Sequence, residues 1–181
     1  MDLVTDWERI VREHGPMVFG TAWRILGHAA DTEDVVQEVF LEVFRLRADG
    51  SVRSWAGYLR KMAACRALDR LRQKRRPILS LNGLAVHAPS PRPGPDLLAM
   101  ESELGERLRE AIAELPEREA EVFCLRYFDD LSYQEIADSL DITSGAAAQA
   151  LHKARGRLEL ALGLGDSERG RDHARAKAQS G

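Results

Sequence analysis

Between positions 60 and 76 eight cations stand against a single acid. Arg60, Lys61, Arg66, Arg70, Arg72, Lys74, Arg75 and Arg76 share the stretch with Asp69 alone. Trp55 and Tyr58 lie one helical turn apart just upstream. Guanidinium and ammonium groups neutralise phosphates, and an aromatic pair offers faces on which unpaired bases stack. A solvated helix face with two core aromatics would explain one of the aromatics and about half of the charge.

A second constellation runs from Ser132 to Arg157. Ser132 with Glu135 three residues on has the form of a capping box, followed by the apolar residues Ile136, Ala137 and Leu140. Asp141-Ile142-Thr143 makes a short turn, and Thr143 can cap the next helix. Ala147, Leu151, Ala154 and Leu158 form that helix's inward stripe, and the small Ala137 and Ala147 let two helices cross closely. This is the pattern of a helix-turn-helix that reads DNA. An ordinary helical hairpin within a bundle shares part of it.

The third constellation is acidic. In "DTEDVVQEVFLEVF", Asp31, Asp34, Glu38 and Glu42 fall on one helix face, opposite a stripe of Val35–Val36, Val39–Phe40 and Val43–Phe44. Asp31 can cap the helix, and Glu33 and Asp34 suit its positive end. Glu38 and Glu42 lie too far along for either effect; a partner surface would account for them, though their cost is small enough that none is required.

Chemistry of bond-making kind finds no residues to carry it. There is no Glu-x-x-His, HExxH, phosphate-binding glycine loop or nucleophile elbow, and the five histidines are scattered. No catalytic residue, metal site or cofactor is expected. Cys65 and Cys124 sit far apart in apolar runs and read as small buried hydrophobes in a reducing compartment. The opening "MDLVTDWERIV" has acids where a signal peptide needs bases, and no apolar run reaches membrane length. A cytoplasmic protein without membrane contact of its own is expected. The net charge of -3 gives no hint of nucleic-acid binding, so the case rests on local patches.

These patches need rigid elements, and the periodicity supplies only helices. Residues 6–76 read as successive helices broken at Gly27 and at the Asp-Gly turn of "RADGS". Residues 77–96 hold five of the seven prolines and read as an extended, semi-rigid linker. Residues 97–162 form a second helical unit, and 163–181 lack large apolar residues and read as a disordered tail. The fold class is all-α: two small helical domains joined by a Pro-rich linker, the second with a helix-turn-helix.

Taken in order, the three constellations resemble bacterial RNA polymerase sigma factors of the extracytoplasmic-function (ECF) group, within the sigma-70 family. "DTEDVVQEVFLEVF" resembles the family's polymerase-binding helix, and "WAGYLRKMAACRALDRLRQKRR" its minus-ten segment. "LPEREAEVFCLRYFDDLSYQEIADSLDITSGAAAQALHKARGRL" resembles its minus-thirty-five-reading domain. The resemblance implies a sigma factor that binds core RNA polymerase and directs promoter-specific initiation, often restrained by an anti-sigma factor. By position, Asp31, Asp34, Gln37 and Glu38 would meet the polymerase. Arg47, Arg53, Trp55, Tyr58, Lys61, Arg66, Arg70 and Arg72 would meet minus-ten DNA, with the loop from Arg47 to Ser54 holding a flipped base. Thr143, Ser144, Gln149, His152, Lys153, Arg155 and Arg157 would meet minus-thirty-five DNA.

The chain departs from the family pattern in places. The aromatic pair is Trp then Tyr instead of Phe then Trp, and Cys65 replaces an Asn. In the recognition helix Ala146, Ala147, Ala148 and Ala150 occupy positions usually held by Thr, Val, Lys and Arg. Ala147 is read as a packing residue, whereas Ala148 and Ala150 are expected to face DNA without cations. Two rival functions stay open: a helix-turn-helix transcriptional regulator, and a sigma-like module that occupies polymerase with little DNA reading of its own.

Overall fold

A computed structural model describes residues 3–46, 52, 54–75 and 103–164, with side chains from residue 7 to 45 in the first of these segments. The linker and tail readings, Arg47 and Arg53 lie outside the described residues. Seven α-helices make up the described chain: α1 (Leu3–Leu26), α2 (Ala29–Leu46), α3 (Trp55–Arg75), α4 (Glu103–Ala113), α5 (Glu117–Tyr127), α6 (Tyr133–Leu140) and α7 (Ser144–Ala161). The all-α class expected from periodicity is the class observed.

Each helix boundary has a local cause. Gly27, at φ +63°, ends α1 in the left-handed conformation that glycine adopts without strain, and its N–H bonds Trp23 O at 2.7 Å. α2 then starts at Ala29, so Asp31 lies inside its first turn and does not cap it, a correction to the sequence reading. The Thr32 hydroxyl donates to His28 O at 2.8 Å there. Ser54 Oγ accepts from Gly57 N at 3.3 Å at the head of α3. Pro116 opens α5 at its N-cap, where the missing N–H costs nothing.

α1, α2 and α3 pack on one another through Val18, Ala22, Ile25, Val35, Val39, Val43, Leu59 and Leu68, all buried. The α2 stripe is narrower than the paired sequence pattern implied. Val35, Val39 and Val43 are fully buried, while Phe44 remains 53% exposed, edge-on to Trp7. α3 lets its neighbours close in because Ala63, Ala64 and Ala67 line its buried side. The last four helices bury Ile112, Val122, Leu125, Ile136 and Leu151, and the buried apolar residues of all seven helices form one connected cluster.

Candidate nucleic-acid interface

The acidic face of α2 and the basic face of α3 meet each other. Asp31 pairs with Lys74, Asp34 with Arg70 at 3.5 Å, Glu38 with Arg70 at 2.8 Å, and Glu42 with Arg66 at 2.5 Å. As the α2 number rises the α3 number falls, the register of two antiparallel helices. The two charge runs therefore explain one another within the fold, which the sequence reading did not anticipate. Asp34 and Glu38 are still 57% and 52% exposed, so their outer lone pairs face solvent. Exposed pairs of this kind contribute about 0–1 kcal/mol each. An external partner can exchange for them at little cost.

Trp55 and Tyr58 stand at the head of α3, edge-to-face with centroids 6.5 Å apart. Both are half-buried against the core, so each keeps part of its surface for a ligand. Burial, then the nearby Glu42 carboxylate, pushes the Tyr58 hydroxyl above its usual pKa. Lys61 is half-buried on the same helix. Arg72 turns the other way and donates to Ala113 O and Leu115 O at the end of α4, at 3.4 and 3.2 Å. Cys65 is half-buried and its Sγ donates to Glu121 Oε1 at 3.0 Å, so it is a polar contact and not the buried hydrophobe expected. Burial, then that bond, lifts its pKa to about 12. Cys124 is buried as expected.

The α6–turn–α7 unit has the geometry its caps call for. The Ser132–Glu135 capping box is complete, with Ser132 N donating to Glu135 Oε2 at 2.8 Å and Glu135 N to Ser132 Oγ at 3.3 Å. The Ser132 hydroxyl, which donates to Glu135 Oε2 at 2.7 Å, and after it the Ser132 N–H hold the Glu135 carboxyl below its usual pKa. Asp141 ends α6 at φ 54°, and Thr143 Oγ1 accepts from Ala146 N at 3.1 Å to start α7. Ala137 and Ala147 are both buried at the crossing of the two helices.

On α7, Gln149, His152, Lys153, Arg155 and Arg157 are exposed along the outer side. Among the described residues no ion pair reaches Lys153 or Arg155. Arg157 Nε lies 2.9 Å from Glu119 Oε2, and Ser144 Oγ donates to Gln134 Oε1 at 2.8 Å. One expectation fails here. Ala150 is only 8% exposed, because it continues the inward stripe of Ala147, Leu151, Ala154 and Leu158 at helical spacing. It gives up no cation to DNA. Ala148 is half-exposed. The sequence reading also missed Thr21, Arg24, Glu121 and Asp129, which bind across the chain; nothing in their spacing marks them.

Comparison with known proteins decides the family. Residues 10–77 match the family model described as "Sigma-70 region 2", and residues 105–158 the one described as "Sigma-70, region 4". The chain belongs to the sigma-70 family. Within it, the chain is similar to the ECF RNA polymerase sigma factor SigE of Mycolicibacterium smegmatis, at 29% identity over 90% of this chain and 63% of that protein. It is similar also to the ECF RNA polymerase sigma factor SigW of Bacillus subtilis, at 25% identity over 81% of this chain and 83% of that one. The chain thus spans under two thirds of the length of the first of these relatives.

The fold is shared with the sigma factor RpoE of Bartonella quintana, solved with the anti-sigma factor NepR. Their TM-score is 0.57 at 17% identity, over 88% of this chain and 98% of that one. That likeness is one of fold; the family models are what show that the chain carries regions 2 and 4, the parts it shares with the ECF relatives named above. Sigma factors are non-enzymatic, in keeping with a sequence that offers no catalytic constellation. No helix among the described residues is long and apolar enough to cross a membrane.

Proposed function

We propose that this chain binds core RNA polymerase and directs initiation at promoters through two separate DNA contacts. The observation that carries the reading is the order of parts: a region 2 match ending in the aromatic and basic α3, then a region 4 match ending in a capped helix-turn-helix. In this reading residues 6–76 hold the polymerase and minus-ten surfaces, and residues 97–162 the minus-thirty-five surface. Asp34, Gln37 and Glu38 face the polymerase, with Asp31, mostly buried beside His28 and Lys74, steadying that face. Trp55, Tyr58, Lys61, Arg66, Arg70 and Arg72, with Arg47 and Arg53 of the preceding loop, serve melted minus-ten DNA.

On α7, Gln149, His152, Lys153, Arg155 and Arg157 enter the groove, while the amides near Thr143 and Ser144 bind phosphate at the helix N-terminus. Gln149 can read an adenine edge, and the Ala146 and Ala148 methyls can meet thymine methyls. With alanine at those positions the helix holds the DNA backbone weakly, and occupancy leans on tethering by polymerase. An anti-sigma factor is a fitting third partner, supported by the complex in which the structure of like fold was solved. The cytoplasm, where polymerase works, is the fitting compartment.

Co-elution of the full chain with core polymerase in gel filtration, followed by retention of promoter DNA on the complex, tests the reading. A chain that binds duplex operator DNA alone but never polymerase would instead be a helix-turn-helix regulator.

A further inference from the structure

The first turn of α7 offers DNA almost no chemistry. Ser144, Gly145, Ala146, Ala147 and Ala148 open the helix, so Ser144 is the one polar side chain among them. A leading turn so bare can lie close to base edges, and its single hydroxyl then carries weight.

That hydroxyl is not free to choose its role. Ser144 Oγ lies 2.8 Å from Gln134 Oε1, and Gln134 Nε2 lies 3.0 Å from Asp138 Oδ1, one turn further along α6. A carboxylate only accepts, so Asp138 draws the amide nitrogen of Gln134 towards itself. The amide oxygen is thereby turned to Ser144, and it too only accepts. The Ser144 proton must therefore point at Gln134, which leaves the hydroxyl with lone pairs alone. Thr143 beside it is set the other way. Its Oγ1 accepts from Ala146 N at 3.1 Å, and among the described residues no acceptor takes its proton.

We propose that Ser144 is a base-selecting residue, held as a hydrogen-bond acceptor by Gln134 and Asp138, and that it prefers an amino base, adenine or cytosine, on the strand it faces. The inference deepens the proposed minus-thirty-five reading by α7 and rests on it. The first residues of a recognition helix contact base edges in the major groove. There adenine N6 and cytosine N4 donate, whereas guanine O6 and thymine O4 accept at corresponding places. A fixed acceptor bonds the amino group and meets the keto oxygen lone pair to lone pair. Nor can it bond a phosphate, which only accepts; that role falls to the Thr143 hydroxyl and the helix amides. A serine hydroxyl without such a hold would rotate to suit either partner and select nothing. Gln134 and Asp138 are thus positioning residues. Both are exposed, so replacing them leaves the buried face of α6 intact.

The test selects bound molecules from duplexes carrying a randomised stretch, using the full chain with core polymerase and, in a second arm, the full chain alone. In the enriched upstream element, wild type should show one position where adenine and cytosine are preferred over guanine and thymine. The preference should be about fivefold, the worth of one hydrogen bond. Ser144→Ala should level that position and leave the others unchanged. Gln134→Leu, which frees the Ser144 proton, should level it too. Gln134→Glu keeps an acceptor towards Ser144 and should keep the preference, while its added charge, repelled by phosphates, lowers affinity for every sequence. A guanine and thymine preference there, or a profile that Ser144→Ala leaves unchanged, overturns the base-selecting role. A position levelled by Ser144→Ala but not by Gln134→Leu, or levelled by Gln134→Glu, overturns the positioning. Enrichment by the chain alone, with none through polymerase, would sink the sigma reading while the profile still decides this one. If neither arm enriches an element, both fall.

Discussion

α3 and α7 both carry the cations expected to meet DNA, yet they hold them in opposite ways. On α3, Arg66, Arg70 and Lys74 are already paired with the carboxylates of α2, and Arg72 with backbone carbonyls. On α7, Lys153 and Arg155 stand in solvent, and only Arg157 leans on Glu119. The first set is oriented and largely neutralised, so it adds little long-range field and must trade partners to act. The second, Arg157 apart, has no ion pair among the described residues and is ready, but sparse. A count of Lys and Arg along the sequence would rank α3 as the stronger DNA binder, whereas the pairing makes its binding conditional on what happens to α2.

The largest effect should come from breaking the α2 side of that exchange. With Asp34→Lys and Glu38→Lys together, Arg70 faces two cations, and the acidic face offered to polymerase is reversed. Affinity for core polymerase should fall by about a hundredfold, the size of a loss of about 3 kcal/mol. Helicity and melting should change little, because the lost pairs are exposed and weak. Normal polymerase binding by a folded double variant would detach the acidic face from that role.

Next comes the α7 core. Ala150→Arg forces a long cation into the stripe beside Leu151 and Ala154, and overpacking alone costs about 1–3 kcal/mol. A thermal melt should show the loss, with no gain in DNA binding. Ala148→Lys, on the half-exposed flank, should leave the melt unchanged, tighten minus-thirty-five binding and steepen its salt dependence by about 0.9 in log K per log salt. If Ala150→Arg instead binds tighter without melting earlier, the assignment of the two faces of α7 is reversed.

Tyr58→Ala separates stacking from packing on α3. Each base–aromatic stack is worth about 1–3 kcal/mol, so permanganate reactivity of melted bases should fall on a duplex promoter. On a template with a pre-melted bubble it should recover. Equal reactivity on both templates would leave Tyr58 as a core residue only. The smallest effect concerns Arg157 against Lys153. Removing Lys153 should lower the salt slope by about 0.9. Removing Arg157, already compensated by Glu119, should lower it by less, and equal slopes would mean the Glu119 pair opens on DNA.

The sequence made the helices and caps legible because each rests on local chemistry. The Ser132–Glu135 box, the Thr143 cap and the stop at Gly27 depend on residues within four positions of one another. The apolar stripes of α2 and α7 were legible for the same reason, though Ala150 was misassigned. A methyl group fits either face, and Ala150 lies at helical spacing both from Ala146 and Lys153 on the outer face and from Ala147 and Ala154 on the inner one. What periodicity could not show is what crosses the chain. The α2–α3 pairs join residues 24 to 43 positions apart, and Asp129 reaches Thr21 over 108. A carboxylate at such a distance looks like any other surface acid until the fold brings its partner to it. The candidate site residues were legible as types, a basic run and an acidic face, while their present partners were not.

The proposed function requires above all that this chain give polymerase a choice of start sites. The most direct measurement maps the 5′ ends of transcripts made in vitro from genomic DNA of the source bacterium by core polymerase, with and without the full chain. The account predicts new, discrete start sites preceded by two shared elements at fixed separation, lost with Asp34→Lys and Glu38→Lys. A chain that co-elutes with polymerase yet yields no start sites beyond those of core enzyme alone would contradict it.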